Sequence, residues 1–190
     1  MKTTTRNFLI TMAAIAVYVL CTFLCEFLGF LSPWGWLLFA APAAFLVAFP
    51  VFYAHSRTHS RFLYLPYTCV WALLMLTEWN ELTLTMIAGI LACGIAAELL
   101  YTLIGRDTRR ARLVSYPVFA LAPMSQVLGL WTNPQTYCAI AVGEMGSDYS
   151  AQMYTLSAPW TLFVALATTI IAALLAALLA DRLIFKPDKR

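Results

Sequence analysis

Six stretches of the chain are almost continuously apolar, near 8–30, 36–54, 62–78, 83–104, 113–131 and 157–183. A helix that crosses a bilayer needs about 20 mostly apolar residues. Helices that are apolar all round bury themselves in lipid or in a large core, because they have no polar face to give to water. The pattern predicts an all-α integral membrane protein with six transmembrane helices, built as a single domain over 1–190. The third stretch is short and contains Pro66, and the fifth carries Pro117 and Pro123, which should kink it. Connections are short except for 132–156, which reads as an external loop. The first apolar run is long, and no small-residue cleavage site followed by a soluble stretch accompanies it, so it reads as a span rather than a leader.

Charge sets the orientation. If the first residue lies in the cytoplasm, the cytoplasmic pieces and adjoining helix ends hold Lys2, Arg6, Arg57, Arg61, Arg106, Arg109, Arg110, Arg112, Arg182, Lys186, Lys189 and Arg190, which are all 12 Lys and Arg of the chain. The opposite pieces hold none. Segregation this complete predicts six spans with both termini cytoplasmic. Composition agrees: 62% of residues are hydrophobic and 11% charged, where a soluble domain carries roughly 25% charged residues. Mean hydropathy is +0.79. A net charge of +3 spread this way gives no basic patch for nucleic acid. The two His and five Cys show no metal-site spacing, and Cys21 and Cys25 read as packing residues inside an apolar run.

The outer side has the opposite character. Glu26, Glu78, Glu81, Glu144 and Asp148 fall there, with Trp34, Trp36, Trp79, Trp131 and Trp160 and with Tyr137, Tyr149 and Tyr154. A headgroup belt accounts for any single Trp, but a belt occupies both interfaces. The asymmetry predicts an outward aromatic pocket with an acidic rim. Its walls would come from "SPWGW" (Trp34, Trp36), "TEWNE" (Glu78, Trp79, Glu81) and the long loop (Tyr137, Glu144, Met145, Tyr149, Met153), the last acting as a lid. Trp131 joins the aromatic set, and Met124 and Gln126 of the broken fifth helix lie toward the floor.

Small residues form stripes on three helices: Ala13, Ala14 and Ala16; Ala88, Ala92 and Ala96; Ala172, Ala176 and Ala180. In lipid such stripes let helices approach closely. Six spans cannot readily bury all three, so at least one should face another membrane protein. Glu98 interrupts the fourth span near its basic end. A charge there costs free energy, so it reads as half of an inner-interface ion pair, Arg109 foremost, or as a polar contact that responds to a partner. No second intramembrane acid supports a proton relay.

At this point the chain resembles a substrate-binding S component of an energy-coupling factor (ECF) transporter, of the MptD-type group. The resemblance rests on "AGILACGIAAELLYTLIG", the basic loop after it and "LVSYPVFALAP", and it extends over nearly the whole chain. It implies capture of a scarce micronutrient from outside a bacterial plasma membrane. Delivery would follow by docking on a membrane coupling (T) protein driven by two cytoplasmic ATPases and by toppling in the membrane. The chain would not be an enzyme and would need no intrinsic cofactor; no G-x-x-x-x-G-K-[ST] motif occurs in it. The family docks through Ala-x-x-x-Ala on its first helix. "ITMAAIAVYVL" is rich in small residues without that strict spacing, and Ala13, Ala14 and Ala16 are the candidates.

Two other classes compete. A prenyl-protease-like membrane enzyme needs E-E-x-x-x-R and intramembrane His, whereas no Arg follows "TEWNE" and both His55 and His59 fall in the inner "AHSRTHSR". A structural or assembly subunit predicts no pocket. Some relatives of this type are associated with tetrapyrroles, so the resemblance admits haem as ligand, with Met145, Met153, Tyr137 or Cys138 available for axial ligation. A cationic vitamin-like ring or another metal chelate stays open, since the outer side offers carboxylates and aromatic faces but no Lys or Arg.

Overall fold

The computed structural model describes residues 3–77 and 79–185. Among them every regular element is helical: α1 (Thr3–Glu26), α2 (Leu28–Leu31), α3 (Pro33–Leu38), α4 (Ala40–Thr58), α5 (Leu65–Met75), α6 (Thr83–Ile104), α7 (Arg109–Phe119), a 3₁₀ turn (Ala122–Gln126), α8 (Gly129–Thr132), α9 (Pro134–Met145), α10 (Ser147–Thr155) and α11 (Pro159–Ile184). Four helical runs are long and apolar enough to cross a bilayer: Thr4–Leu31, Pro33–Thr58, Thr83–Ile104 and Pro159–Ile184.

The third and fifth expected spans are shorter than the pattern suggested. The third is α5, with 11 residues. At 1.5 Å per residue it is about 17 Å long, roughly half the hydrocarbon thickness. Pro66 stands in its first turn, where a missing N–H costs nothing, so the helix starts there and not at 62. The fifth breaks into α7, the 3₁₀ turn and α8; Pro117 lies inside α7, which runs on to Phe119, and Pro123 stands in the first turn of the 3₁₀ segment. The expected loop 132–156 is instead a helical hairpin. Asn133 caps α9 by accepting the Thr136 N–H, Pro134 opens the helix, and Gly146 at φ 90° turns the chain into α10.

α4 runs through the middle, packed between α1 and α11, while α6 packs against α5, α7 and the 3₁₀ turn. The contacts follow the small residues. Ala43, Ala44 and Ala48 of α4 and Ala165, Ala173, Ala176, Ala177 and Ala180 of α11 are buried, so these backbones approach closely. On α6 a Cβ at Gly94 would meet Thr68 Oγ1 at 2.1 Å, so α5 crosses α6 there only because position 94 has no side chain. The core is aromatic. Tyr64 stacks on Phe119 with ring centroids 4.9 Å apart, and Tyr18 stands edge-on to Tyr67 and Trp71.

Polar side chains close the basic end. Asp181 of α11 accepts from Arg109 Nε (3.0 Å) and from Arg112 Nε and Nη2 (2.9 and 2.6 Å). Arg112 also donates to the Asp107 carbonyl at 2.8 Å and lies 3.7 Å from the Phe185 ring centroid. His55 Nε2 meets Asp107 Oδ1 at 2.7 Å and the Tyr101 hydroxyl at 2.8 Å. Partial burial pushes the Asp107 carboxyl up, but the hydrogen bonds from His55 and Tyr101 and the nearby imidazoles outweigh it and hold it below its ordinary value.

Glu98 is not paired with Arg109. It is 6% exposed and accepts the backbone N–H groups of Leu63 (3.0 Å), Tyr64 (2.8 Å) and Leu65 (3.3 Å). The first amides of a helix have no partner within it, and the start of α5 lies inside the protein, away from water. Glu98 therefore caps α5 from the neighbouring helix, and its negative charge suits the positive end of the helix dipole. Arg109 turns to Asp181 instead.

Candidate functional site

At the end of the bundle away from the arginines lies a cavity of about 560 Å³, within the size range of small-molecule sites. The end of α1 and α2 supply Phe23, Glu26, Phe27 and Phe30; α3 supplies Trp36; the turn before α6 and its first residues supply Asn80, Leu82 and Met86. Gln126 comes from the 3₁₀ turn, and α9 and α10 cover the cavity with Tyr137, Ile140, Glu144, Met145, Tyr149 and Met153.

The aromatic wall is held in place by hydrogen bonds. Trp36 Nε1 donates to the Tyr137 hydroxyl at 2.5 Å, and Tyr149 donates to the Gly29 carbonyl at 2.8 Å, which ties the hairpin to the α1–α3 corner. Trp36 stacks on Phe39 at 5.2 Å and lies over Gly29, where a Cβ would sit 2.5 Å from Trp36 Cε3. Burial raises both phenols, Tyr149 to about 12 and Tyr137 further, so each stays protonated at neutral pH. Gln126, 5% exposed, donates from Nε2 to Glu26 Oε1 at 2.7 Å and orients that carboxylate. Among the described lining residues two are acids, Glu26 and Glu144, and none is Lys, Arg or His.

Of the residues the sequence pointed to, Trp36, Gln126, Tyr137, Glu144, Met145, Tyr149 and Met153 line this cavity. The others do not. Trp34 pairs with Trp160 at 5.9 Å, outside the lining. Trp79 is 68% exposed and Glu81 is exposed, and neither belongs to the lining. Met124 is packed in a small core with Leu130 and Cys138. Trp131 donates to Thr161 Oγ1 at 3.0 Å and fixes α8 to α11. Glu78 lies outside the described residues. Cys138, a sequence candidate for axial ligation, is buried and off the lining.

The largest omission is α1. Phe23, Phe27 and Phe30 recur at helical spacing beside Glu26, a pattern that the sequence shares with any lipid-facing stripe. On the same helix Ala14 is 6% exposed and belongs to the core, which removes it from any docking face. Its neighbours Ala13 and Ala16 are exposed, since α1 turns Ala14, Ile15, Tyr18 and Thr22 inward.

No curated protein and no solved structure matches the chain. A family model does, over residues 5–186, and its description is "hypothetical bacterial integral membrane protein (Trep_Strep)". With that match, several bilayer-length helices and a cavity at one end, the chain is a multi-pass bacterial membrane protein that belongs to the Trep_Strep family.

Proposed function

We propose that this protein is the substrate-capture subunit of an ECF-type importer, and that the cavity beside Trp36 receives the micronutrient from outside the cell. The observation that supports this reading most is the cavity itself: about 560 Å³, aromatic and thioether in lining, with a few convergent polar groups. A structural or assembly subunit has no use for such a space. Orientation follows from the arginines, which gather at the far end and belong in the cytoplasm. α5 and the broken α7–α8 run then complete six passes, with both termini inside.

In this reading a coupling protein and two ATPases supply transport and ATP hydrolysis, and the chain itself catalyses nothing. Ala13 and Ala16 form the docking candidates, because exposed small residues on a membrane helix admit a close neighbour. The aromatic lining suits a flat ligand, which includes a tetrapyrrole such as haem or another metal chelate; Met86, Met145 and Met153 are then the thioethers within the lining.

The test is purification of the chain in mild detergent from its native membrane, followed by absorbance and native mass spectrometry. The reading expects one small molecule per chain, with a Soret band if it is a tetrapyrrole. Trp36→Ala should weaken its retention roughly tenfold. A chain that carries no molecule, and that binds none from a cell extract, removes the capture role.

A further inference from the structure

Resting on that capture role, we infer that the ligand enters the cavity sideways from the outer leaflet, across the edge formed by Phe27 and Phe30, and belongs to the amphiphiles that partition into lipid. The helical run Thr4–Leu31 carries three faces. Ala14, Ile15, Tyr18, Thr22 and Cys25 turn inward and are buried. Leu20, Leu24, Phe27 and Leu31 recur at helical spacing on a second face, and all are exposed. Phe23, Glu26, Phe27 and Phe30 line the cavity and share the flank between those two faces. Phe27 therefore belongs both to the exposed stripe and to the lining. Exposed apolar side chains on a helix of bilayer length face acyl chains, so cavity and lipid meet along Phe27 and Phe30.

Depth puts that edge where amphiphiles collect. The apolar part of the run begins at Phe8, after Arg6 and Asn7. About 20 helical residues cross the hydrocarbon, which sets its outer limit near Phe27 and leaves Phe30 among the headgroups. The lining is graded to match. Leu82, Met86, Gln126 and Met153 are buried, whereas Phe27 and Phe30 are 59% and 68% exposed, with their rings 5.6 Å apart. Glu144 is exposed on α9 and gives the same lining a solvated polar group, which suits a head that keeps contact with water. Lipid is as apolar as the wall, so the move from leaflet to cavity gains little from the hydrophobic effect. Ring contacts with Trp36, Tyr137 and Tyr149 then supply the affinity.

The experiment uses two neutral probes with one ring system, dansyl-decylamine (held by lipid) and dansyl-ethanolamine (held by water). Each is mixed rapidly with the full-length chain in phosphatidylcholine nanodiscs, and energy transfer from tryptophan to dansyl reports association. Wild type should bind the decyl probe at least about tenfold more tightly than the ethanolamine probe. Phe30→Asp sets a charge on the edge and should slow association of the decyl probe roughly tenfold, as a barrier higher by about 1.4 kcal/mol does. Phe30→Leu keeps the edge apolar and should retain the wild-type rate. Phe163→Asp, at a lipid-exposed position of α11 off the lining, should leave the rate unchanged. Circular dichroism and thermal unfolding verify that each variant is folded. Equal affinity for the two probes, or a rate that Phe30→Asp leaves unchanged, overturns the inference and leaves the capture role standing. So does a co-purified molecule that stays in water when shaken with octanol. Rejection of both probes by a chain that also purifies empty ends the capture role itself.

Discussion

Glu98 offers the sharpest test of how the basic end is built. Replacing it with Gln keeps the volume and one acceptor oxygen, which can stand where Oε2 accepts the amides of Leu63, Tyr64 and Leu65 at 2.8–3.3 Å, but it removes the charge and turns an NH₂ group toward the Leu63 N–H that Oε1 accepts at 3.2 Å. A hydrogen bond to a charged group contributes about 1.5–3 kcal/mol net. The amides share one carboxylate and their contributions do not add fully, so Glu98→Gln should cost about 2–4 kcal/mol. Glu98→Ala strands all of them in the interior and should cost about 3–6 kcal/mol. In a chain of this size 1 kcal/mol moves the melting point by about 2–4 °C, so Glu98→Gln should melt roughly 5–15 °C lower. The assay is thermal unfolding in detergent, followed by far-ultraviolet circular dichroism. Arg109→Ala is the control. Its side chain is 58% exposed and its partner is Asp181, so the change should cost under about 1 kcal/mol. A double-mutant cycle between 98 and 109 should give a coupling below about 0.5 kcal/mol. A coupling well above that, or a Glu98→Gln variant as stable as wild type, refutes the cap.

Further outcomes follow from the same geometry. Arg112→Ala leaves Asp181, 4% exposed, with the more exposed Arg109 alone, and should destabilise by about 3–5 kcal/mol in the same assay. Gly94→Ala drives a methyl group into Thr68, which is wholly buried, and should cost about 1–3 kcal/mol; adding Thr68→Ala should restore most of it. Trp36→Ala should weaken retention of the captured molecule roughly tenfold, since one stacked aromatic contributes about 0.5–1.5 kcal/mol beyond its buried area, while Trp79→Ala, with a side chain 68% exposed and off the cavity, should leave it unchanged. Single cysteines at Arg57 and Arg110 should react only from the cytoplasmic side, and one at Ser147 only from outside; external labelling at 57 would reverse the proposed orientation.

The long spans and the segregation of charge are legible in the sequence because each is a property of composition along the chain. Helix 83–104 was expected where it occurs. The half-length α5 was not, since apolar residues continue past both of its ends and only Pro66 marks the start. The role of Glu98 is hidden in the sequence for a related reason. Its partners are backbone amides, which every residue carries and no letter advertises, so charge complementarity pointed to Arg109 instead. The hairpin 134–155 has the polarity of a loop in the sequence, although Asn133-Pro134 and Gly146 are helix start and stop signals. Within the site, Trp36 and the hairpin residues could be nominated from the outer clustering of aromatics. Phe23, Phe27 and Phe30 could not, because facing lipid and facing a cavity ask for the same side chains.

The Arg112–Asp181 contact has a mechanical consequence. It joins α7 to α11 close to the last turn of α11, whereas the first turns of α11 pack near the cavity, with Leu162 and Ala165 against the small core that holds Met153. From Asp181 back to Pro159 the helix extends about 33 Å. A rotation of about 5° about the ionic joint therefore carries its far end about 3 Å sideways, close to the thickness of an aromatic ring, while the joint barely moves. One helix thus joins two unlike fastenings, an ionic joint at the basic end and apolar packing at the end nearer the cavity, so a change that loosens one need not loosen the other.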